Sequence, residues 1–158
     1  DHCNSVIYKD GFIYFVGNEV LGQGAIKVKL SDDGTNLEEV WRNAEVLNNF
    51  GGFVIVNDHL LTTVKGNKLL KLDVDTGNIA DSIKVATGSI SFAENKFFCY
   101  GMSGTVNLVS YIDEQMELKG KLQVKAGDGQ HFSHPVLNEG VMYIRHGDAL
   151  IAYKVGGE

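Results

Sequence analysis

Proline and cysteine are nearly missing from this chain: one proline, Pro135, and two cysteines, Cys3 and Cys99, stand in 158 residues. The cysteines are neither adjacent nor in a C-x-x-C, which excludes a vicinal disulfide and a paired-thiol site. Cys99 lies inside the aromatic run Phe97-Phe98-Cys99-Tyr100, where a free thiol is expected to be buried as a small hydrophobe. No stretch approaches the roughly eighteen uninterrupted apolar residues of a membrane span. No cationic segment followed by an apolar one opens the chain, which begins at Asp1 without methionine, as a processed form or an excised piece does; a leader already removed would leave no trace. Fourteen basic residues against twenty acidic ones give a net charge of -6, and no Lys/Arg cluster appears. Nucleic acid is thereby excluded as an expected partner, because phosphate neutralisation needs a concentrated basic face.

What is present is glycine, at nineteen positions, together with eight Phe, six Tyr and a hydrophobic content of 44%. That composition suits short strands joined by tight turns. One pattern recurs four times: an apolar strand, a two-residue turn, and a second apolar strand. The copies are Val6-Ile7-Tyr8-Lys9-Asp10-Gly11-Phe12-Ile13-Tyr14, Val54-Ile55-Val56-Asn57-Asp58-His59-Leu60-Leu61, Ile90-Ser91-Phe92-Ala93-Glu94-Asn95-Lys96-Phe97-Phe98 and Val136-Leu137-Asn138-Glu139-Gly140-Val141-Met142-Tyr143. Their second turn residues, Gly11, Asp58, Asn95 and Gly140, lie 47, 37 and 45 residues apart, the period of a four-stranded propeller blade. Each turn places residues that tolerate positive φ where a type I′ hairpin requires them.

A third apolar stretch follows each hairpin, at residues 25–30, 68–73, 106–112 and 149–155, and a more polar fourth one at 37–42, 79–85 and 116–124. The pattern predicts an all-β chain of four consecutive β-propeller blades, at about 5–42, 52–85, 88–124 and 134–155, with strands A to D in each and no strand D in the last. The incomplete last blade predicts membership of a larger ring of seven or eight blades. Open blade faces and edges would expose apolar sheet, so self-association is expected if nothing else covers them.

The second copy ends Lys71-Leu72-Asp73-Val74-Asp75-Thr76-Gly77-Asn78, which resembles the A-L-D-x-x-T-G-K signature of pyrroloquinoline-quinone (PQQ)-type repeats. The first ends Leu30-Ser31-Asp32-Asp33-Gly34 and reaches Glu39-Val40-Trp41, similar to the closing tryptophan of that signature after a small insertion. The second has Asp81 where the signature has tryptophan, and the third lacks both Thr-Gly and Trp. The stretches Asn49-Phe50-Gly51-Gly52-Phe53-Val54, His131-Phe132-Ser133-His134-Pro135-Val136 and Tyr143-Ile144-Arg145-His146-Gly147-Asp148-Ala149-Leu150 resemble the C-terminal portion of exported bacterial quinoprotein-like propellers of the BamB-like family. The resemblance covers nearly the whole chain. It implies Thr76-Gly77 as a tight C–D turn, Trp41 as a residue docked between blades, an extracytoplasmic location (periplasmic or cell surface), and often no enzymatic activity.

Quinone-dependent dehydrogenases of this family carry a vicinal disulfide, a tryptophan platform and a calcium held by Glu, Asn and Asp. This chain has no adjacent cysteines, and its only tryptophan falls in an outer strand, so neither PQQ nor a divalent metal is expected. The most chemically suggestive segment is His131-x-x-His134 with Arg145, His146 and Asp148. The first pair precedes an innermost strand, whose loop opens toward a propeller's channel. Imidazoles can ligate zinc, and His with Asp can serve acid/base work. The structural alternative has His134 ordering the turn before Pro135 and Arg145 pairing with Asp148 across a B–C turn.

Three functions follow. The first is a non-enzymatic scaffold binding a protein or polymer through loops or blade edges. The second is an enzyme fragment, either a quinone-dependent dehydrogenase or a hydrolase or lyase using the cluster. The third is metal or carbohydrate binding through the same residues.

Overall fold

A computed structural model describes residues 3–18, 20 and 22–156. Among the described residues all regular structure is strand, in four antiparallel meanders: β1 (Ile7–Lys9), β2 (Phe12–Val16), β3 (Ala25–Leu30) and β4 (Leu37–Asn43) in sheet 1; β5 (Phe53–Val56), β6 (His59–Val64), β7 (Lys68–Asp73) and β8 (Ile79–Lys84) in sheet 2; β9 (Gly88–Ala93), β10 (Lys96–Gly101), β11 (Thr105–Ile112) and β12 (Gln115–Gln123) in sheet 3; β13 (Val136–Asn138), β14 (Val141–His146) and β15 (Ala149–Lys154) in sheet 4. These are propeller blades.

Turn chemistry sets the hairpins. Asp10-Gly11, Glu94-Asn95 and Glu139-Gly140 all take positive φ at both positions, as type I′ turns demand. Asn57-Asp58 departs from this, with positive φ at Asn57 alone. Sheets 1 to 3 each carry a β-bulge between strands C and D, after Lys27, Lys71 and Leu108. These three residues are structurally equivalent: each stands three residues before the strand-C residue whose amide bonds back to its own A–B turn, Leu30 to Gly11, Val74 to Asp58 and Tyr111 to Asn95. A bulge adds local twist, which each blade needs to fan away from its neighbour.

Alternation within the strands gives every sheet two apolar faces, and consecutive sheets bury them against each other. Tyr14, Val16, Ala25 and Trp41 of sheet 1 pack on Phe53, Leu60, Leu70 and Leu72 of sheet 2. Leu61 and Leu69 of sheet 2 pack on Ile90, Phe97, Cys99 and Val109 of sheet 3. Phe98, Tyr100 and Val106 of sheet 3 pack on Met142 and Ile144 of sheet 4. Cys99 is wholly buried, and burial pushes its thiol up to about 12, so it is an inert filler at neutral pH.

Candidate functional site

A four-stranded meander puts its A–B and C–D turns at one end and its B–C turns and outgoing linkers at the other. The linkers at 44–52, 85–87 and 124–135 therefore share one face of the molecule with the turns at 65–67, 102–104 and 147–148. His131, His134, Arg145, His146 and Asp148 all belong to this face.

His146 closes β14 and is 6% exposed. Its Nδ1 lies 2.8 Å from the Ala126 carbonyl oxygen and its Nε2 3.1 Å from that of Gly129. Carbonyls only accept, so a neutral imidazole satisfies one and turns a lone pair on the other; the imidazolium donates to both. These two bonds raise its proton affinity, and Asp128 and Asp148 add to the effect. His131 stacks on this ring at 3.7 Å between centroids and 16° between planes. Tyr100 Oη bonds to His131 Nδ1. Burial raises the Tyr100 phenol, which stays protonated and donates, leaving the His131 proton on Nε2. Burial, and then the neighbouring His146 charge, lower the affinity of His131 for a second proton. The stack therefore couples two imidazoles pushed in opposite senses, His146 toward its charged form and His131 toward its neutral one. Gly104 makes room for it: a Cβ there would sit 2.7 Å from His131 Cε1.

His134 is directed elsewhere. It is exposed, with Nε2 3.3 Å from where a Cβ on Gly52 would sit, in the linker that opens sheet 2. Arg145 does not pair with Asp148: its Nε donates to the Gly147 carbonyl at 3.1 Å, and its own carbonyl accepts from Ser133 Oγ at 2.7 Å. The tight turn at Gly147 brings that carbonyl within reach of the guanidinium, and Asp148 is left exposed. Among the described residues no three His, Cys, Asp or Glu side chains converge as a metal site.

The residues of the repeat signature lie at the opposite end. Trp41, 9% exposed, donates from Nε1 to the Val74 carbonyl at 2.9 Å and lies flat on Gly77, where a Cβ would sit 2.6 Å from Cδ2. The turn it rests on is shaped by Asp73, whose Oδ1 accepts from Thr76 Oγ1 at 2.8 Å and from the Thr76 and Asp75 amides. Those bonds, that of the Thr76 hydroxyl foremost, hold the Asp73 carboxyl below its ordinary range.

Sequence reasoning passed over two lysines inside apolar strands. Lys27, at the sheet 1 bulge, lies 4.3 Å from the centroid of the Phe12 ring and donates to Val74 O at 3.0 Å and Asp75 Oδ1 at 3.2 Å. Lys71, at the sheet 2 bulge, donates to Glu114 O at 2.8 Å. Each fastens one blade to the next blade's C–D turn. Their signal was a cation repeated at one register of an otherwise apolar strand C.

Beside the histidine stack runs a groove of about 340 Å³, walled by the linker 47–51, the turn 65–67, Thr87, Gly88 and Met102. Its floor is rigid. Asn48 donates from Nδ2 to Thr63 O at 2.6 Å and accepts the Gly51 amide on Oδ1 at 2.6 Å, while Asn4 spans Val16 O, Asn48 O and the Gly52 amide. Its rim is open and mixed: Lys65 and Asn67 stand on it with Met102, which is 49% exposed, and Phe132, 45% exposed, meets the lining residue Phe50 edge to face at 4.9 Å.

No protein-family model and no curated relative matches the sequence. Solved structures do. The chain is similar to BamB from Moraxella catarrhalis, with a TM-score of 0.71 at 12% identity over 97% of this chain and 46% of that one. It is similar to the computationally designed Ika4 protein, at 0.63 and 8% over 98% and 91% of the respective chains. It is also similar to the quinohemoprotein alcohol dehydrogenase ADHIIG from Pseudomonas putida HK5, at 0.64 and 14% over 89% and 28%. The likeness is one of fold: a β-propeller of the kind found in PQQ-dependent quinoproteins and BamB. The chain spans about half the length of that BamB.

Proposed function

We propose that this chain is a non-enzymatic propeller scaffold that binds an extended protein segment along the groove between sheets 2 and 3, in the extracytoplasmic space that the family resemblance implies. The observation that carries this reading is the commitment of the polar cluster. His146 uses both ring nitrogens on backbone carbonyls, His131 holds the Tyr100 hydroxyl, and Arg145 holds the Gly147 carbonyl. An acid/base or metal-ligating group needs a nitrogen free to meet substrate or ion; both His146 nitrogens face carbonyls, and His131 gives its Nδ1 to the Tyr100 hydroxyl. What remains available on this face is a groove that presents Phe50 and Met102, with Phe132 packed on Phe50, over a hydrogen-bonded floor. Rigid aromatic and thioether side chains over a preformed floor suit recognition of a protein segment.

Displayed heptapeptides selected against the chain supply the test. Enriched sequences are expected to lose at least tenfold in affinity for Met102→Glu and for Phe132→Ala, with the melting temperature of each variant unchanged. Enriched peptides indifferent to both substitutions would overturn the placement of the groove.

A further inference from the structure

Phe132, which packs on the groove residue Phe50, is held along the chain from both sides. On one side His131 Nδ1 accepts from the Tyr100 hydroxyl, and the His131 ring lies on that of His146. On the other, Ser133 Oγ donates to the Arg145 carbonyl. His146 also ties down the stretch before them through the Ala126 and Gly129 carbonyls. Tyr100 is fully buried in the core between sheets 3 and 4, and His146 is buried at the end of β14. The linker between these two strands thus carries an aromatic ring to the groove wall on anchors set in the blades.

The anchor beside Phe132 is undone by acid. A proton on His131 Nδ1 takes the lone pair that accepts from Tyr100, and it sets a positive ring 3.7 Å from a second imidazole. We infer that acid releases Phe132 from Phe50: protonation of His131 breaks the stack and the bond to Tyr100, the segment at 131–133 shifts, and the groove loses an aromatic wall. Control of ligand binding by this movement rests on the groove being the binding site, as proposed above; the movement itself does not. The groups around the switch all act in this sense. From β10, the Tyr100 phenol, raised by burial and then by Tyr153 of β15, stays protonated and favours the neutral His131 ring. From β14, His146 is pushed toward its cation by its two carbonyls, with Asp128 and Asp148 adding to the effect, while Arg145 is held on the Gly147 carbonyl. Burial, and then the His146 charge, lower the proton affinity of His131. The anchor is therefore intact above the ordinary imidazole range near 6.5 and is lost as pH falls toward the depressed value. A segment bound against Phe50 and Phe132 opposes the proton by the same factor that the proton opposes the segment.

Nuclear magnetic resonance of the full chain tests the movement without a ligand. Cross-relaxation between the Phe50 and Phe132 rings is expected at neutral pH and is expected to fade with the midpoint at which the His131 Cε1 proton titrates. Tyr100→Phe keeps the buried ring but removes the donor that favours neutral His131, so both midpoints are expected to move to higher pH together. His131→Asn keeps an acceptor for Tyr100 and takes no proton, and its ring contact is expected to persist through the acid range. A ring contact indifferent to the titration of His131, or one lost on acidification equally in His131→Asn, would overturn the inference. The displayed heptapeptides enriched at neutral pH are then expected to lose about tenfold in affinity across the same midpoint in the wild type and to hold it in His131→Asn. Affinity unchanged at a midpoint where the rings part would overturn the groove as the binding site and leave the movement standing. Rings that stay together while the peptides still depend on Met102 and Phe132 would overturn the movement alone.

Discussion

At the scale of single residues, the blade contacts are fastened by polar tips on apolar stems. Trp41 and Lys27 both end on the Val74 carbonyl, so the turn at 73–78 is held from the neighbouring sheet by an indole and an ammonium at once. Trp41→Ala removes the buried ring over Gly77 and is expected to destabilise the fold by about 3–5 kcal/mol in denaturant unfolding, the usual range for emptying a large aromatic site. Lys71→Met keeps the stem but removes the donor from the Glu114 carbonyl, an expected loss of about 1–3 kcal/mol. The tryptophan was legible because it ends a recognisable repeat signature. The lysines were not: a charge in a strand reads as solvent-facing until the bulge that turns it toward the next blade is known.

His146 and His131 titrate in opposite senses. The affinity of His146 is raised by its two carbonyl partners, so its contribution to holding the loop at 124–135 is complete below the ordinary imidazole range near 6.5 and is lost as pH rises through its elevated value. The affinity of His131 is lowered by burial, so its contribution is present above the ordinary range and is lost as pH falls toward its depressed value. Amide exchange protection in this loop is therefore expected to peak near neutral pH and to weaken on both sides. His146→Phe, which keeps a stacking ring but no donors, is expected to abolish the alkaline limb and, by removing the neighbouring charge, to move the acid limb to higher pH. An unchanged alkaline limb in that variant would contradict the two-carbonyl assignment.

At the scale of elements, the strands were readable because the turns punctuate them. Strand C of sheet 2 runs Lys68–Asp73, bounded by Gly66-Asn67 on one side and the Asp73 turn on the other. The histidine segment was less readable. Its position before an innermost strand pointed to a channel, but which way each ring turns depends on Gly104 and on the carbonyls of the linker at 126–129, far apart in the chain from His131 and His146 respectively. Turn chemistry gives a direct test. Glu94-Asn95 holds positive φ at two residues with side chains, and replacing it by Asn-Gly, the pair best suited to a type I′ turn, is expected to raise stability by about 0.5–1 kcal/mol without shifting the register of β9 and β10. A lower melting temperature would contradict the turn assignment.

At the scale of the whole molecule, four successive blades, the last with three described strands, stack through three cores. The repeat period announced the blades, but no local pattern states how far each turns from the last, since twist accumulates through bulges and packing. The loop face carries the function proposed here, with His146, His131 and Arg145 engaged in holding its linkers and turns and its groove left to a protein ligand. Calorimetric titration of the folded chain with PQQ in the presence of calcium, repeated with zinc alone, tests that claim most directly. No saturable heat is predicted in either titration, at pH values on both sides of the imidazole range. Saturable binding of the quinone or of zinc, lost on substitution of His131 or His146, would contradict it.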